Sequence, residues 1–315
     1  MRRTFLYGTL VLALILILSF LYIALKTFSK ETVQSVLSLK RRYLLLSLFI
    51  LFLYHTFDNL RLFFLSRAVG LRYSLTYGYI TSFVNTFGAT VTPAHVGGEV
   101  ASVYMLLRKG ASIHKVMSIV TMKAVSGSAF FLLSLPLFVY YLYKHPGEAV
   151  GVLKVLGAVL VVSALVYLAF DLTVRRNLRK ENLKKLRESL RRYVNYLRIF
   201  GYKRRGYLLL SVLSSLALYL CFLLFAPVLI LSFGREVDFV GVVFDQIVLL
   251  YALFISPTPG GSGVGEMGGL AVFGGYLGAH EVGVFVILWR VISQYMSALI
   301  GGVLFLLCLL KDIRR

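Results

Sequence analysis

The sequence predicts an all-α polytopic membrane protein, and three observations lead to this fold class. Hydrophobic residues make up 59% of the 315 residues and charged residues only 15%, against about 25% charged residues in an ordinary soluble domain. A water-facing surface needs more polar side chains than this, which excludes a soluble enzyme and a disordered chain. The apolar residues also form long unbroken runs, whereas a membrane barrel would show short alternating segments.

Six apolar runs are each long enough to cross a bilayer as a helix, which needs about 20 residues. The first run follows Arg2 and Arg3 and has no small-residue cleavage site behind it, so we interpret it as a retained anchor and not as a signal peptide. The predicted crossings are residues 4–25, 43–64, 116–141, 149–170, 207–232 and 282–310.

Two further segments, residues 74–107 and 238–279, are apolar at their ends and interrupted by proline and glycine in the middle. Proline removes a helical N–H and glycine favours turns, so an interruption leaves backbone groups without intrahelical partners. Lipid cannot satisfy these groups, so such a break is tolerated only where it is buried in protein or lines a wet cavity. We therefore expect both segments to be broken or re-entrant helices.

The connection 172–206 is strongly basic and gives the clearest cytoplasmic signal in the chain. Its leucines recur at helical spacing, so we expect an amphipathic helix on the anionic cytoplasmic leaflet; a docking surface for a cytoplasmic partner is the alternative. Counting crossings from this connection places both termini in the cytoplasm of a multi-pass protein of the cell membrane. The basic loop 26–42 conflicts with the count, because it falls on the opposite side.

The net charge of +21 raises the question of a nucleic-acid partner. The basic residues lie mostly between the apolar runs, a pattern that indicates membrane topology and attraction to anionic headgroups. We therefore expect membrane lipids as partners and no nucleic acid; the sequence does not indicate an oligomeric state.

The two interrupted segments match each other at one offset along the chain. Each contains a Pro/Gly break, then a Gly-Glu dipeptide, then a basic residue 24 positions after the glutamate and inside an apolar run. Three predicted crossings separate the breaks, and an odd number turns the second unit upside down relative to the first. At an offset of 167 residues, Gly98 and Glu99 correspond to Gly265 and Glu266, Lys123 to Arg290, and Ser126 to Ser293.

This arrangement is the inverted-repeat plan of secondary transporters, whose paired broken helices form a binding site near the membrane midplane. We expect repeat cores at about 74–141 and 238–310 within a single transmembrane domain that spans residues 1–315. The alternative is that both breaks are flexible loops at a membrane surface.

Ionisable residues inside apolar runs mark the candidate site. A charge at the centre of a membrane helix costs about 2.5–3.5 kcal/mol, so it persists only if it is paired or wet. We expect Glu99 to pair with Lys123 and Glu266 with Arg290, within or across the repeats, around a polar cavity for a charged headgroup. The alternative is a structural ion-pair pin between helices.

Asp58 is a further candidate, since it shares a helical face with His55 and Arg61. Arg61 is close to the end of its run, where it can snorkel to the surface, so only Asp58 is kept as a site residue. Asn85 lies before the first break and either satisfies freed backbone groups or contacts a ligand.

The breaks also offer backbone N–H groups at helix N-termini, which suit a phosphate. They add the following residues to the predicted substrate-binding set: Gly97, Gly98, Pro259, Gly260, Gly261, Gly263 and Gly265.

Catalytic, cofactor and metal motifs are weak in this sequence. Residues 263–268 match G-x-G-x-x-G but lack the strand and βαβ unit of a dinucleotide-binding fold. The five histidines are scattered without metal-ligand spacing, and the two cysteines lie in apolar runs. We therefore expect no cofactor, no metal site and no catalytic residues.

Together these blocks resemble the lysylphosphatidylglycerol synthase transmembrane region, also called the flippase-like domain family. The resemblance rests on Gly97-Gly98-Glu99 in the first break and on Pro259-Gly260-Gly261-Ser262-Gly263-Val264-Gly265-Glu266 in the second, and it covers roughly residues 5–310. The first block departs from the family's common Pro-x-Arg-x-Gly-Glu, because His95-Val96 stands where an arginine is common.

The resemblance implies the membrane half of such proteins, which moves a lipid between leaflets. Synthase activity is not expected, because the soluble aminoacyl-transferase domain of fusion members does not follow. The lipid would be an aminoacylated phospholipid, or a polyprenyl-phosphate or glycolipid intermediate. Lys123 and Arg290 would hold its phosphate, while Glu99 and Glu266 would complement the charge or carry a coupling proton.

Two other functions remain open from the sequence. One is a membrane enzyme that acts on a lipid-linked sugar or a lipid headgroup. The other is an accessory subunit that recruits a separate synthase or transferase through the basic connection 174–206.

Overall fold

The computed structural model describes residues 37–92, 95–144 and 180–313, together with isolated positions between 146 and 168. This part of the chain is helical and contains no strand, which confirms the predicted all-α class. The helices are α1 (Arg41–Ala68), α2 (Leu75–Thr90), α3 (Val96–Leu107), α4 (Ile113–Lys144), α5 (Lys180–Arg198), α6 (Arg205–Ser232), α7 (Phe239–Ile255), α8 (Val264–Phe273), α9 (Ala279–Arg290) and α10 (Met296–Ile313). Short π-helical turns, Ile199–Lys203 and Val291–Tyr295, join α5 to α6 and α9 to α10.

Four helical segments within the described residues are long and apolar enough to cross a membrane: α1, α4, α6 and the continuous stretch Ala279–Ile313. They correspond to four of the six predicted crossings, each extended by a few residues. The other two predictions, residues 4–25 and 149–170, lie outside the described residues.

Helices α1 and α6 are packed side by side in opposite directions. The backbone N–H of Lys40, just before α1, donates to the carbonyl of Ser232 at the end of α6, at 2.8 Å. At the other end, Leu65 of α1 packs against Phe200, which lies just before α6. We call the end that holds Arg67 and Arg204 the basic end, and the end that holds Lys40 the far end.

Helices α2 and α3 form a hairpin that begins and finishes at the basic end. The Tyr77 hydroxyl of α2 donates to the carbonyl of Met105 in α3 at 2.8 Å, and the Lys109 ammonium lies 3.9 Å from the centre of the Tyr77 ring. The end of the hairpin is tied to the end of α10, because Arg108 donates to Asp312 at 2.7 Å. This hydrogen bond raises the pKa of the Arg108 guanidinium further above its usual range.

Helices α7 and α8 form a second hairpin, which opens at the far end. Asp238 caps α7, since its carboxylate accepts from the N–H groups of Val240 and Gly241 at 3.1 Å. The turn after α8 returns to the same end, where the Tyr276 hydroxyl donates to Asp245 at 2.7 Å. Burial, and then this hydrogen bond, raise the pKa of Tyr276.

The order of elements repeats. A helix, a break, a short helix, a turn and a long apolar helix occur in α2–α4 and again in α7–α10. The first turn lies at the basic end, where Leu106 and Val116 pack with Phe200. The second lies at the far end, where Arg235 pairs with Glu281 at 3.0 Å. The two units therefore run in opposite directions, as the predicted inverted repeat requires.

The amphipathic helix predicted within the basic connection is α5. It packs against α4, where the hydroxyls of Tyr193 and Thr121 are 2.9 Å apart, while Arg187, Arg191 and Arg192 are exposed. The helix leads through the π-helical turn into the start of α6 at the basic end.

Candidate functional site

The two breaks lie against each other between the repeats. Gln294 donates from its amide nitrogen to the Thr90 hydroxyl, where α2 ends at the first break, and to the Gly260 carbonyl of the second break, both at 3.1 Å. The His95 ring stacks on Phe254 with 5.5 Å between the ring centres. The breaks are thus neighbours, as the inverted-repeat prediction requires, and not separate surface loops.

A cavity of about 390 Å³ lies between the breaks and is bounded by α1, α4 and α6. Three cations lie on its wall, Arg61, Lys123 and Arg290, and Glu99 is the acidic residue among them. The remaining wall is largely apolar and aromatic, with Phe131, Leu250 and others. The cavity therefore combines a few charged groups with an apolar lining, which is the usual composition of a small-ligand site.

The predicted pair Glu99/Lys123 forms at the first break. The Lys123 ammonium is 3.3 Å from the nearer Glu99 oxygen and also donates to Asn85 at 3.0 Å and to Ser102 at 3.3 Å. The Lys123 side chain is 1% exposed, whereas that of Glu99 is 41% exposed. Lysine is thus fixed by neutral partners as well as by the acid, and the acid faces open space.

The predicted pair Glu266/Arg290 forms at the second break. Both side chains are buried, and we call this the sealed pair. The Arg290 guanidinium donates to Glu266 at 3.0 Å, to Gln294 at 2.6 Å and to the Gly260 carbonyl at 3.0 Å. Tyr295 contacts both members of the pair, accepting from Arg290 and donating to Glu266. With 2% and 1% of their side chains exposed, Arg290 and Glu266 are buried.

A third pair joins Asp58 to Arg61 of α1, and its arginine lies on the cavity wall. The Arg61 guanidinium is 2.7 Å from Asp58, and Ser82 donates to the other oxygen of that carboxylate at 2.5 Å. Arg61 was expected to snorkel, but it turns inward to this acid and lines the cavity. Because the Ser82 hydroxyl donates its hydrogen bond to Asp58, its oxygen accepts from the Nδ1–H of His55 at 2.8 Å, and the Nε2 of the neutral imidazole accepts from Ser297.

The predicted site residues fall into two groups. Six of them line the cavity: Asn85, Gly98, Glu99, Lys123, Gly260 and Arg290. The others are not among the residues that line it: Asp58, Gly97, Pro259, Gly261, Gly263, Gly265 and Glu266. Asn85 lies on the cavity wall, and its side-chain oxygen accepts from Lys123 and Ser102.

The glycines of the second break are required by its geometry. Gly260 has a φ of +59°, and an added Cβ would lie 2.7 Å from the Gln294 amide and 3.0 Å from the Thr90 carbonyl. An added Cβ on Gly265 would lie 2.8 Å from the Arg290 guanidinium carbon. These positions therefore let the breaks touch and let the sealed pair form.

Comparison with known proteins places this architecture in a family. The family model of the lysylphosphatidylglycerol synthase TM region matches residues 10–301. The chain belongs to this family. A similar protein is the UPF0104 membrane protein of Archaeoglobus fulgidus, which is 25% identical over 265 residues; the match covers 78% of this chain and 80% of the relative.

The family match is consistent with a membrane protein that has a lipid-related role. The site's charged groups are compensated in pairs, and among the described residues no group of three or more His, Cys, Asp or Glu could hold a metal ion. The arrangement is therefore suited to binding an ionic group within an apolar surrounding.

Several residues of the site were missed from the sequence. Gln294 and Tyr295 complete the sealed pair, and Ser102 helps to hold Lys123. Gln294 and Tyr295 lie four and five residues after Arg290, and Ser102 lies three after Glu99. A search for residues about one helical turn from each charged residue would have found them. His95 gave no such signal, because its left-handed φ of +58° and its place beside Phe254 come from the fold.

Proposed function

We propose that this chain moves a phosphate-bearing lipid headgroup between the leaflets of the membrane, through the cavity between the two breaks. The observation that carries the proposal is the cavity itself, where cations and an accessible carboxylate meet between two interrupted helices of an inverted repeat. Broken helices and charges persist in a membrane where they line a polar path. The family's lipid-related role is consistent with this function.

The three ion pairs would have different roles. Lys123 would hold the phosphate, because neutral partners keep it in place and its acid is accessible. Arg290 and Glu266 would position the second break, because the bonds of the guanidinium are directed to protein groups. Arg61 would add positive potential from the wall. The acyl or polyprenyl chains would remain in the bilayer.

The proposal includes an orientation. The basic end would face the cytoplasm of a cell membrane, because Arg67, Arg108 and Arg204 lie there with the exposed arginines of α5. Both breaks would then be re-entrant hairpins, entering from opposite leaflets. Helix α2 has 16 residues and α7 has 17; at 1.5 Å per residue each measures about 25 Å, shorter than the hydrocarbon core of about 30 Å.

The test is lipid movement in vesicles reconstituted with the purified protein. Phosphatidylcholine vesicles with phosphatidylglycerol would carry acyl-labelled fluorescent phosphatidylglycerol, and dithionite would report how much label reaches the outer leaflet. We expect protein-dependent movement, with mass spectrometry showing the lipid chemically unchanged. A changed lipid would indicate the membrane-enzyme alternative.

Lys123→Gln is the decisive variant, and Lys109→Gln is its matched control. Lys109 is exposed at the basic end, so its replacement removes the same charge outside the cavity. A hydrogen bond to a charged group contributes about 1.5–3 kcal/mol, so Lys123→Gln should slow movement about ten- to hundredfold. Equal rates for both variants in folded protein would refute the role of Lys123.

A further inference from the structure

We propose that Glu99 is an exchangeable counter-ion, and that an anionic phosphate headgroup replaces it beside Lys123 while Glu99 takes up one proton. This inference rests on the proposed function and adds a second transported species, the proton. It would make the movement of a phosphate monoanion dependent on the pH on each side of the membrane.

The charge of Lys123 must be balanced, because the cavity wall around it is largely apolar. In the empty cavity the Lys123 ammonium is balanced by the Glu99 carboxylate at 3.3 Å. A phosphodiester that bound beside this pair would add a net negative charge, which is costly in a surrounding of low polarity. One proton from water on the Glu99 carboxylate restores neutrality: ammonium and phosphate then balance each other, and the glutamic acid is neutral.

The two glutamates differ in their freedom to leave their basic partners. Glu99 has 41% of its side chain exposed and holds Lys123 through long contacts of 3.3 and 3.5 Å. If Glu99 turns away, Lys123 still donates to Asn85 and Ser102. Glu266 has no such freedom, because it is 1% exposed and accepts from Gly263 at 2.6 Å as well as from Arg290.

Several other ionisable groups share the cavity with Glu99. Besides Glu99, the ionisable residues on the cavity wall are Tyr54 and Arg61 of α1, Lys123 of α4, Tyr219 of α6, His95 before α3 and Arg290 of α9. Arg61 and Arg290 are compensated by Asp58 and Glu266, which leaves Glu99 as the acid at the wall. The His95 ring, whose Nδ1 has no hydrogen-bond partner among the described residues, is stacked on Phe254 and one helical turn from Glu99.

The experiment uses the same vesicles with a pH difference across the membrane. With one proton per lipid, fluorescent phosphatidylglycerol should accumulate in the leaflet on the alkaline side, about tenfold for each pH unit, because a pH unit is a tenfold concentration ratio. Protein-free vesicles under the same gradient give the baseline. Glu99→Gln should abolish the accumulation and, at equal neutral pH, move the lipid faster than the wild type. Glu188→Gln, an exposed acid on α5, serves as the control.

The outcomes separate this inference from the proposed function. Movement to an equal distribution in the wild type, whatever the gradient, would overturn the proton proposal and leave lipid transport standing. Accumulation that persists in Glu99→Gln would overturn the assignment to Glu99. An absence of protein-dependent movement would overturn the transport proposal and this inference together.

Discussion

The two ion pairs at the breaks occupy matching positions in the repeat, but they are built differently. Glu99/Lys123 is loose and half open to the cavity, whereas Glu266/Arg290 is sealed. Each pair joins a glutamate to the basic residue 24 positions later. The repeat therefore preserves the pairing and changes its surroundings: Glu99 is partly exposed, whereas Glu266 and Arg290 are buried.

The two pairs differ in the residues that follow their basic members, when the two units are aligned at the offset of 167 residues. The second unit has Gln294 and Tyr295 around its arginine, and the first unit has Gly127 and Ser128 at the equivalent positions. The larger side chains close over Arg290, while the smaller ones leave room that belongs to the cavity. Gly127 and Ser128 of α4 thus line the same cavity as both members of the open pair.

The largest expected effect comes from breaking the sealed pair. Arg290→Met leaves a buried carboxylate without its cation, and the loss of one member of a buried pair costs about 3–5 kcal/mol. We expect a steep fall in the melting temperature of the purified protein in detergent. Lys123→Met should cost less, because Glu99 can turn to its open side.

The double variant Arg290→Met/Glu266→Leu sharpens this prediction. It removes both charges, so it should recover part of the stability lost in Arg290→Met. Equal losses for Lys123→Met and Arg290→Met would contradict the distinction between an open and a sealed pair.

The next largest effect is expected where the first hairpin, which has no sealed pair, packs against α10. It packs closely on α10, where an added Cβ on Gly301 would lie 2.0 Å from the Phe83 carbonyl oxygen. Gly301→Ala must push α2 and α10 apart, and overpacking of this kind costs about 1–3 kcal/mol. The unfolding temperature measures this loss.

Gly206→Ala on α6 is the matched control, since nothing lies within 4 Å of its added Cβ. It should leave stability unchanged or raise it slightly, because alanine favours a helix over glycine. If Gly301→Ala is as stable as this control, close packing does not hold the first hairpin.

Ser128→Tyr places in the first unit the tyrosine that the second unit has at the equivalent position, Tyr295. It tests whether the open space near the first pair is needed for lipid movement. Ser128 lines the cavity and is exposed, so the fold should tolerate the ring while the cavity loses room. We expect slower lipid movement, about tenfold, which corresponds to about 1.4 kcal/mol. Ser128→Ala keeps the room and should move lipid at the wild-type rate; equal rates in both variants would count against the cavity as the path.

The smallest effect is expected at the basic end. Asp312 accepts from Arg108 and Tyr104, but its side chain is 34% exposed. Water and salt weaken exposed pairs, so Asp312→Asn should cost less than about 1 kcal/mol. A large fall in melting temperature would mean that this contact holds the first hairpin more firmly than its exposure indicates.

Much of the fold was predictable, because long apolar runs in a sequence indicate membrane helices. The breaks were also visible, since proline and glycine interrupt two of these runs. The pairing of Glu99 with Lys123 and of Glu266 with Arg290 followed from the cost of unpaired charge in lipid. These predictions rest on apolar runs, on their interruptions and on charges within them, all of which are visible in the sequence itself.

The difference in exposure between the ion pairs could not be predicted, because it depends on contacts between segments that are distant in the sequence. Arg61 looked like a snorkelling residue until α2 placed Ser82 beside its partner Asp58. Arg290 looked equivalent to Lys123 until the second break placed the Gly260 carbonyl against its guanidinium. Exposure at such positions is set by the packing of several helices and not by any local pattern.

The most direct test of the account is the accessibility of the cavity in the membrane. Thr86 lines it, whereas Thr81 on the same helix is 1% exposed and lies off its wall; each hydroxyl donates to the carbonyl four residues earlier. In a background with Cys221→Ala and Cys308→Ala, we expect Thr86→Cys to react with a charged, membrane-impermeant thiol reagent. Thr81→Cys should not react, and added phosphatidylglycerol should slow the reaction at position 86. An unreactive Thr86→Cys in folded protein would contradict a polar path between the two breaks.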